Sequence, residues 1–197
     1  MILESLRLKW ISDEIGYGLF AAETIKKGTI TYVQDGMDIV IKPQEQFRYP
    51  ENVQPIIEKY SFENHLGDLI ICWDLGKYMN HSCSPNSLTT GYGFDIALED
   101  IQAGQEVTDD YRIFCKKLNF IPSCQHPDCI EHRISSELIH YWDDKLRSAM
   151  SEIQNVEQPL LNFVDSETLT LLESFKQDSE NYVSVATQLP VKNQRML

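Results

Sequence analysis

The chain has no apolar run approaching the ~20 residues that a membrane-spanning helix needs. Its first residues, Met1 to Trp10, alternate polar and apolar and include Glu4, so no signal peptide is expected there. Basic clusters are also missing. No basic run exceeds Lys26-Lys27 or Lys116-Lys117, whereas a duplex-binding surface needs clustered cations to neutralise phosphates. Internal repeats and low-complexity tracts are absent as well. Membrane insertion and direct nucleic-acid binding are therefore not expected, and the expected location is intracellular, in cytoplasm or nucleus. The five cysteines are an odd number, and without a secretion signal they favour free thiols or metal ligands over disulfides.

What is present is globular in character. The 197 residues suffice for one domain with a real core plus an appendage, and 42% of them are hydrophobic. Thirty acidic residues against 17 basic ones give a net charge of -13. Such acidity attracts basic partners over a range set by salt, and it also aids solubility.

The first two-thirds reads as short strands punctuated by Gly and Asp: Leu6–Ile11, Gly18–Ala22, Thr29–Val33, Asp38–Ile41, Leu69–Trp73, Asn86–Thr90, Phe94–Leu98 and Glu106–Thr108. Asp35-Gly36 and Gly91-Tyr92-Gly93 read as hairpin turns. The polar segment Gln44–Glu63 holds two prolines and a short helix near Gln54–Tyr60. After about residue 133 the period changes. Leu138, Trp142, Leu146, Ala149 and Ile153 recur at helical spacing, with Ser135 or Ser136 as cap. A second helix, capped by Asp165 or Ser166, carries Leu169, Leu172 and Phe175. The polar tail from about residue 181 reads as loose. The fold class is thus mainly β with a helical C-terminal tail (α+β). Cys72, in an apolar run, reads as core, Trp142 and Tyr78 as packing, and Lys77 as a solvated charge.

Three segments carry chemistry. Gly16-Tyr17-Gly18-Leu19-Phe20-Ala21 formally matches a dinucleotide fingerprint, but Lys27-Gly28 arrives before the long helix that such a site needs. Its glycines still let backbone approach a ligand closely. Tyr78 to Asn86, Tyr-Met-Asn-His-Ser-Cys-Ser-Pro-Asn, is dense in polar groups yet follows the most apolar strand, as a site for a buried polar ligand requires. Gly104 to Tyr111 reads as turn, strand, then an acidic pair before a tyrosine.

In this order the three segments resemble the SET domain of protein lysine methyltransferases: a GxG motif at Gly16-Tyr17-Gly18, an NHSC-x-PN motif from Asn80 to Asn86, and a GE-E-L-x-x-DY motif at Gly104 to Tyr111. The resemblance covers about Leu6 to Tyr111. It implies a β-clip of small curved sheets with knotted threading, and S-adenosylmethionine-dependent methyl transfer to a lysine of a histone or another basic protein. By carry-over, Gly16, Tyr17, Gly18, Asn80 and His81 would bind the cofactor and Tyr111 would be catalytic. The implied organisation is a SET domain over 1–114, a degenerate post-SET-like segment over 115–133, and a helical extension over 134–197.

The pattern departs from the family in two places. Many relatives carry Phe or Tyr, a residue that influences methylation number, where this chain has Asp109. That carboxylate is expected to point away from the substrate amine, because beside the amine it would hold the lysine charged. The post-SET cysteine motif would bind zinc through Cys83, Cys124 and Cys129, but Pro122 stands where a further cysteine belongs. Cys115, His126 or His132 are candidates for the fourth ligand. The C-terminal helices are candidates for covering the cofactor, covering the sheet or pairing two subunits. A non-catalytic SET-fold module that binds a basic partner is the alternative reading.

Overall fold

The computed structural model describes residues 1–114 and 135–189. In chain order the elements are β1 (Leu6–Ser12), β2 (Gly16–Ala21), β3 (Ile30–Val33), β4 (Ile39–Ile41), α1 (Gln54–Tyr60), β5 (Ser61–Glu63), β6 (Leu69–Ile71), β7 (Asn80–His81), β8 (Ser87–Thr89), β9 (Phe94–Ala97), β10 (Glu106–Asp109), α2 (Ser136–Met150) and α3 (Ser166–Gln177). Among the described residues, no helix is long and apolar enough to cross a membrane.

Three small sheets result, ordered β1-β2-β10-β7, β3-β9-β8 and β4-β6-β5. Their shortness follows from the sequence, since Gly or Asp interrupts every apolar run before a long strand can form. β3 and β9 are buried on both faces, and Ile30, Phe94 and Ile96 lie at the centre of the core. β1 and β2 form a hairpin that turns at Gly16, whose φ of +85° a side chain rarely adopts. β10 runs antiparallel to β2 and parallel to β7, which sets the three motif segments side by side.

Every strand expected from the sequence is present, within one or two residues at its ends, and α1 spans Gln54–Tyr60. The Gly91 to Gly93 turn joins β8 to β9, with Gly93 at φ +81°. Asp35-Gly36 is a turn but not a hairpin, because β3 pairs with β9 and β4 pairs with β6. The reason lies in a local polar knot. Asp38 accepts from the Tyr32 hydroxyl at 2.7 Å and from the Trp73 backbone N–H at 3.1 Å, which sends the chain into another sheet. β5 and β7 went unforeseen because both are short and polar.

The C-terminal part is docked against the sheets. Ser135 caps α2 by accepting from the Leu138 N–H at 3.2 Å, and Asp165 caps α3 through the Glu167 and Thr168 N–H groups. Trp142, Leu146, Ala149 and Met150 of α2 are buried, and burial of a side chain the size of Leu146 or Met150 contributes about 1.5–3 kcal/mol. Ile153 is buried in the turn beyond the helix. The tail read as loose is packed as far as residue 189. Val185 and Leu189 are fully buried, and Asp143 of α2 accepts from Tyr182, Ser184 and the Val185 N–H. Gly91 lets this tail cross the β8–β9 turn, since a Cβ there would lie 2.2 Å from the Val183 carbonyl oxygen.

Candidate functional site

The sheet β2-β10-β7 converts three distant sequence segments into one cluster. Asn80 on β7 donates through Nδ2 to the Tyr17 carbonyl at 3.1 Å and to Glu106 Oε1 on β10 at 2.8 Å. Gly18 makes this pairing feasible: a Cβ there would fall 2.4 Å from Glu106 Oε1 and 2.8 Å from Asn80 Nδ2. Asn86 locks β10 from the other side, donating to the Glu106 carbonyl at 2.8 Å and accepting from the Thr108 N–H at 3.0 Å. Tyr17 remains 45% exposed, edge-on to Trp10 and Tyr78, and a Cβ at Gly16 would meet open space.

His81 and Tyr111 are joined through backbone. The Tyr111 N–H donates to His81 Nδ1 at 3.1 Å, which requires the neutral ring to carry its proton on Nε2, 3.2 Å from Cys83 Sγ. The Tyr111 hydroxyl donates to the Met79 carbonyl oxygen, so the ring is fixed at both ends. Asp110, fully buried, accepts from Arg112 and, at 3.2 Å, from Trp142 Nε1 on α2. Trp142 is thus packing, as expected, and in addition ties the C-terminal extension to the residue before Tyr111. Sequence reading missed this network and the Glu106–Asn80 bond, although the Glu106 position inside the third motif was a usable signal.

Behind Tyr111 lies a cavity of about 1020 Å3. Met79, Tyr111, Asp109 and Asp95 line it, together with Tyr32 and Cys72. Residues of α1 and β5 (Tyr60, Phe62) form one wall, and the segment from Phe163 to Leu171 forms another. Gly16, Tyr17, Gly18, Asn80 and His81 are not among the lining residues, so Tyr111 alone of the sequence-predicted residues belongs to both the motif cluster and the cavity. Burial pushes the Cys72 thiol up to about 12, which leaves it protonated and unreactive at neutral pH.

Asp109 stands two residues before Tyr111. It turns inward beside Val107 on β10, is 3% exposed and lines the cavity. Burial, then the nearby Asp95 carboxylate, holds its carboxyl well above the usual range. Asp95 is 5% exposed on β9, and burial raises it to about 6 against a hydrogen bond from Thr89. Lys77 is partly exposed, and its Nζ donates to the Asp74 and Trp73 carbonyls at 2.9 and 3.3 Å. Tyr78 is only partly buried, between the Tyr17 and Tyr60 rings.

Of the expected zinc ligands, Cys83 is a part-buried thiol whose Sγ lies 3.2 Å from His81 Nε2. Cys124 and Cys129, with Cys115, His126 and His132, lie outside the described residues.

Comparison with known proteins agrees with the residue-level reading. The family model of the SET domain matches residues 16–112. The histone-lysine N-methyltransferase set1 of Dictyostelium discoideum is 30% identical over 130 residues, covering 60% of this chain and 9% of that protein. The variant-silencing SET domain-containing protein of Plasmodium falciparum is 27% identical over 146 residues, covering 62% and 5%. The chain therefore spans less than a tenth of the length of these curated relatives. A crystal structure of a Plasmodium falciparum protein assigned as a histone methyltransferase is 23% identical, with a TM-score of 0.41, covering 56% of this chain and 95% of that one.

Proposed function

We propose that the chain, whose residues 16–112 match the family model of the SET domain, transfers a methyl group from S-adenosylmethionine to a lysine of a histone or another basic protein. The observation that carries this reading is the position of Tyr111, held at its N–H by His81, at its hydroxyl by Met79, and shared by the motif cluster and the cavity.

The motif cluster fits the cofactor. Open space at Gly16 admits a ligand against backbone, and exposed Tyr17 supplies a ring. Asn80 spends its Nδ2 on the protein, while its Oδ1 accepts nothing among the described residues, which suits a ligand ammonium. When bound, S-adenosylmethionine would supply a methyl activated by a sulfonium. The cavity would admit the lysine side chain from the other side of Tyr111. Fixing both reactants in one geometry would supply much of the rate. The Tyr111 hydroxyl and the Met79 carbonyl put two oxygens at the junction, suited to weak C–H···O contacts. Zinc at Cys83, Cys124 and Cys129 stays part of the reading, as do the domain limits 1–114, 115–133 and 134–197.

The nucleophile must be a neutral amine. A free lysine has a pKa of ~10.4, so at pH 7.5 only about 0.1% is neutral, a cost of about 4 kcal/mol. Activity should rise from pH 7 to pH 9, and a flat profile with chemistry rate-limiting would contradict this. The acidity of the chain favours basic substrates, and Asp35, Glu58, Asp165 and Glu167 on the cavity lining outnumber Lys59 and Lys77.

The test is mass spectrometry of core histones and a cell lysate after incubation with deuterated-methyl S-adenosylmethionine. Labelled lysine that falls sharply with Tyr111→Phe is the expected result. Cofactor binding with no label on any protein would instead favour the non-catalytic SET-fold module that binds a basic partner.

A further inference from the structure

Trp142 meets the site in a way that packing alone does not require. Its ring is 1% exposed on the inner face of α2, where any large apolar side chain would fill the core. A buried indole also needs an acceptor for its Nε1–H, and here the acceptor is the carboxylate of Asp110, at 3.2 Å. Asp110 caps the one-turn helix Tyr111–Ile113 by accepting from the Arg112 N–H at 3.1 Å. The Ile113 N–H bonds the Asp110 carbonyl and the Phe114 N–H the Tyr111 carbonyl, and so short a helix does not hold its own direction. Arg112 neutralises Asp110 through Nε at 2.8 Å, but it belongs to the same turn and moves with it. Trp142 stands 32 residues further along the chain, on a helix that is fixed independently. At the next position Asp143 accepts from the Tyr182 and Ser184 hydroxyls and the Val185 N–H, and Leu146, Ala149 and Met150 are buried beneath the helix. The Arg112 guanidinium lies over the Trp142 ring, 5.7 Å from its centroid, so the indole braces both partners of the Asp110–Arg112 pair.

We infer that Trp142 is a positioning residue for methyl transfer: its Nε1–H holds Asp110, and Asp110 holds the turn that carries Tyr111. The inference rests on the methyltransferase reading above. It makes α2 a part of the reacting centre and not only a cover for the sheets. Tyr111 is then fixed at three points. Its hydroxyl is held by Met79, its N–H by His81 at 3.1 Å, and the residue before it by Trp142. Asp110 Oδ1 lies 3.8 Å from His81 Nδ1, so the second and third points adjoin. Because Arg112 already neutralises the carboxylate, the indole N–H contributes placement and no charge. Placement matters most in the transition state, where amine, methyl and sulfur must lie in line, and a displacement of about 1 Å costs up to ~100-fold in rate. Binding of cofactor and of the lysine side chain depends on other contacts, so losing the N–H should lower kcat and leave affinities nearly unchanged.

Two variants and two readouts test this. Trp142→Phe keeps an aromatic ring in the core and removes the N–H. Leu146→Val loosens the same buried face of α2 one turn further on, without touching Asp110, and serves as the control for a merely structural role. At a temperature where both are folded, Trp142→Phe should lower kcat on core histones by about tenfold or more. Its affinities for S-adenosylhomocysteine and for n-butylammonium, a mimic of the lysine side chain, should stay within about twofold of wild type. Leu146→Val should keep the wild-type kcat. The second readout is independent of turnover: with 3-fluorotyrosine placed at position 111, the fluorine resonance should shift or broaden with Trp142→Phe and stay in place with Leu146→Val. A kcat unchanged by Trp142→Phe, an equal fall with Leu146→Val, or a fluorine resonance indifferent to Trp142→Phe would overturn the inference. A wild type that methylates no protein, with a resonance that still responds to Trp142→Phe alone, would keep Trp142 as the residue that positions Tyr111 and remove the methyltransferase reading instead.

Discussion

On one side of Tyr111, Asn80, Glu106, Asn86 and His81 satisfy one another in a mesh of side-chain and backbone hydrogen bonds. On the other side, Asp95 and Asp109 are two buried carboxyls on the cavity lining; burial raises the proton affinity of both, and the Asp95 carboxylate raises that of Asp109 further. The first face contributes to stability while it holds its ligand geometry. The second detracts from stability at neutral pH, because Asp95 must ionise against its burial there. The contrast teaches that cross-strand hydrogen bonds hold one face in register while burial of acids sets the proton affinity of the other.

The largest effect is expected where the two faces share a support. Trp142→Ala removes a fully buried ring and the Nε1–H bond to Asp110, so thermal unfolding should show a loss of about 3–5 kcal/mol, with both faces weakened together. Retention of either ligand at wild-type affinity would show that α2 supports only one of them.

Asp95→Asn should act in the opposite direction. The folded carboxyl is raised to about 6 from an ordinary 3.8, so the folded state holds the proton more tightly. Its favourable contribution is complete below the unfolded value and is lost as pH rises through about 6. Burial raises the Asp95 carboxyl, while the Thr89 hydrogen bond and the N-terminal amine act in the opposite direction. The variant should therefore be more stable than wild type by about 1–3 kcal/mol at pH 7.5, and nearly equal to it at pH 4. Calorimetric scans showing the same difference at both pH values would remove the electrostatic explanation.

Gly18→Ala strikes the motif face alone, forcing a methyl group against Glu106 and Asn80. Affinity for S-adenosylhomocysteine should fall about tenfold, with butylammonium binding unchanged. Ser135→Ala is the mildest change. Loss of the α2 cap should cost ~1 kcal/mol of stability and leave both affinities intact.

The legibility of the two faces differed for the same physical reason. The residues from Asn80 to Asn86 announced themselves as a polar cluster directly after an apolar strand, and Tyr111 closed a recognisable segment. The sequence strands were found because β-branched runs broken by Gly and Asp have few other solutions. Asp95 gave no such signal. In Phe94-Asp95-Ile96-Ala97 the alternation of a half-buried strand turns Asp95 outward, but β9 is the middle strand of its sheet and all four residues are buried. Asp109 was visible in the third segment, but its inward turn depends on β10 being covered by β8 and the core. The Asp35-Gly36 turn was read as a hairpin because a turn dipeptide carries no record of which strands it leaves unpaired.

The most direct test is calorimetry of two ligands against two variants. Asn80→Ala should lose S-adenosylhomocysteine binding and keep n-butylammonium binding, while Asp109→Asn should do the reverse. That double dissociation is what two faces meeting at Tyr111 predict. Loss of both ligands in each variant, with folding intact by circular dichroism, would show one undivided site and contradict the account.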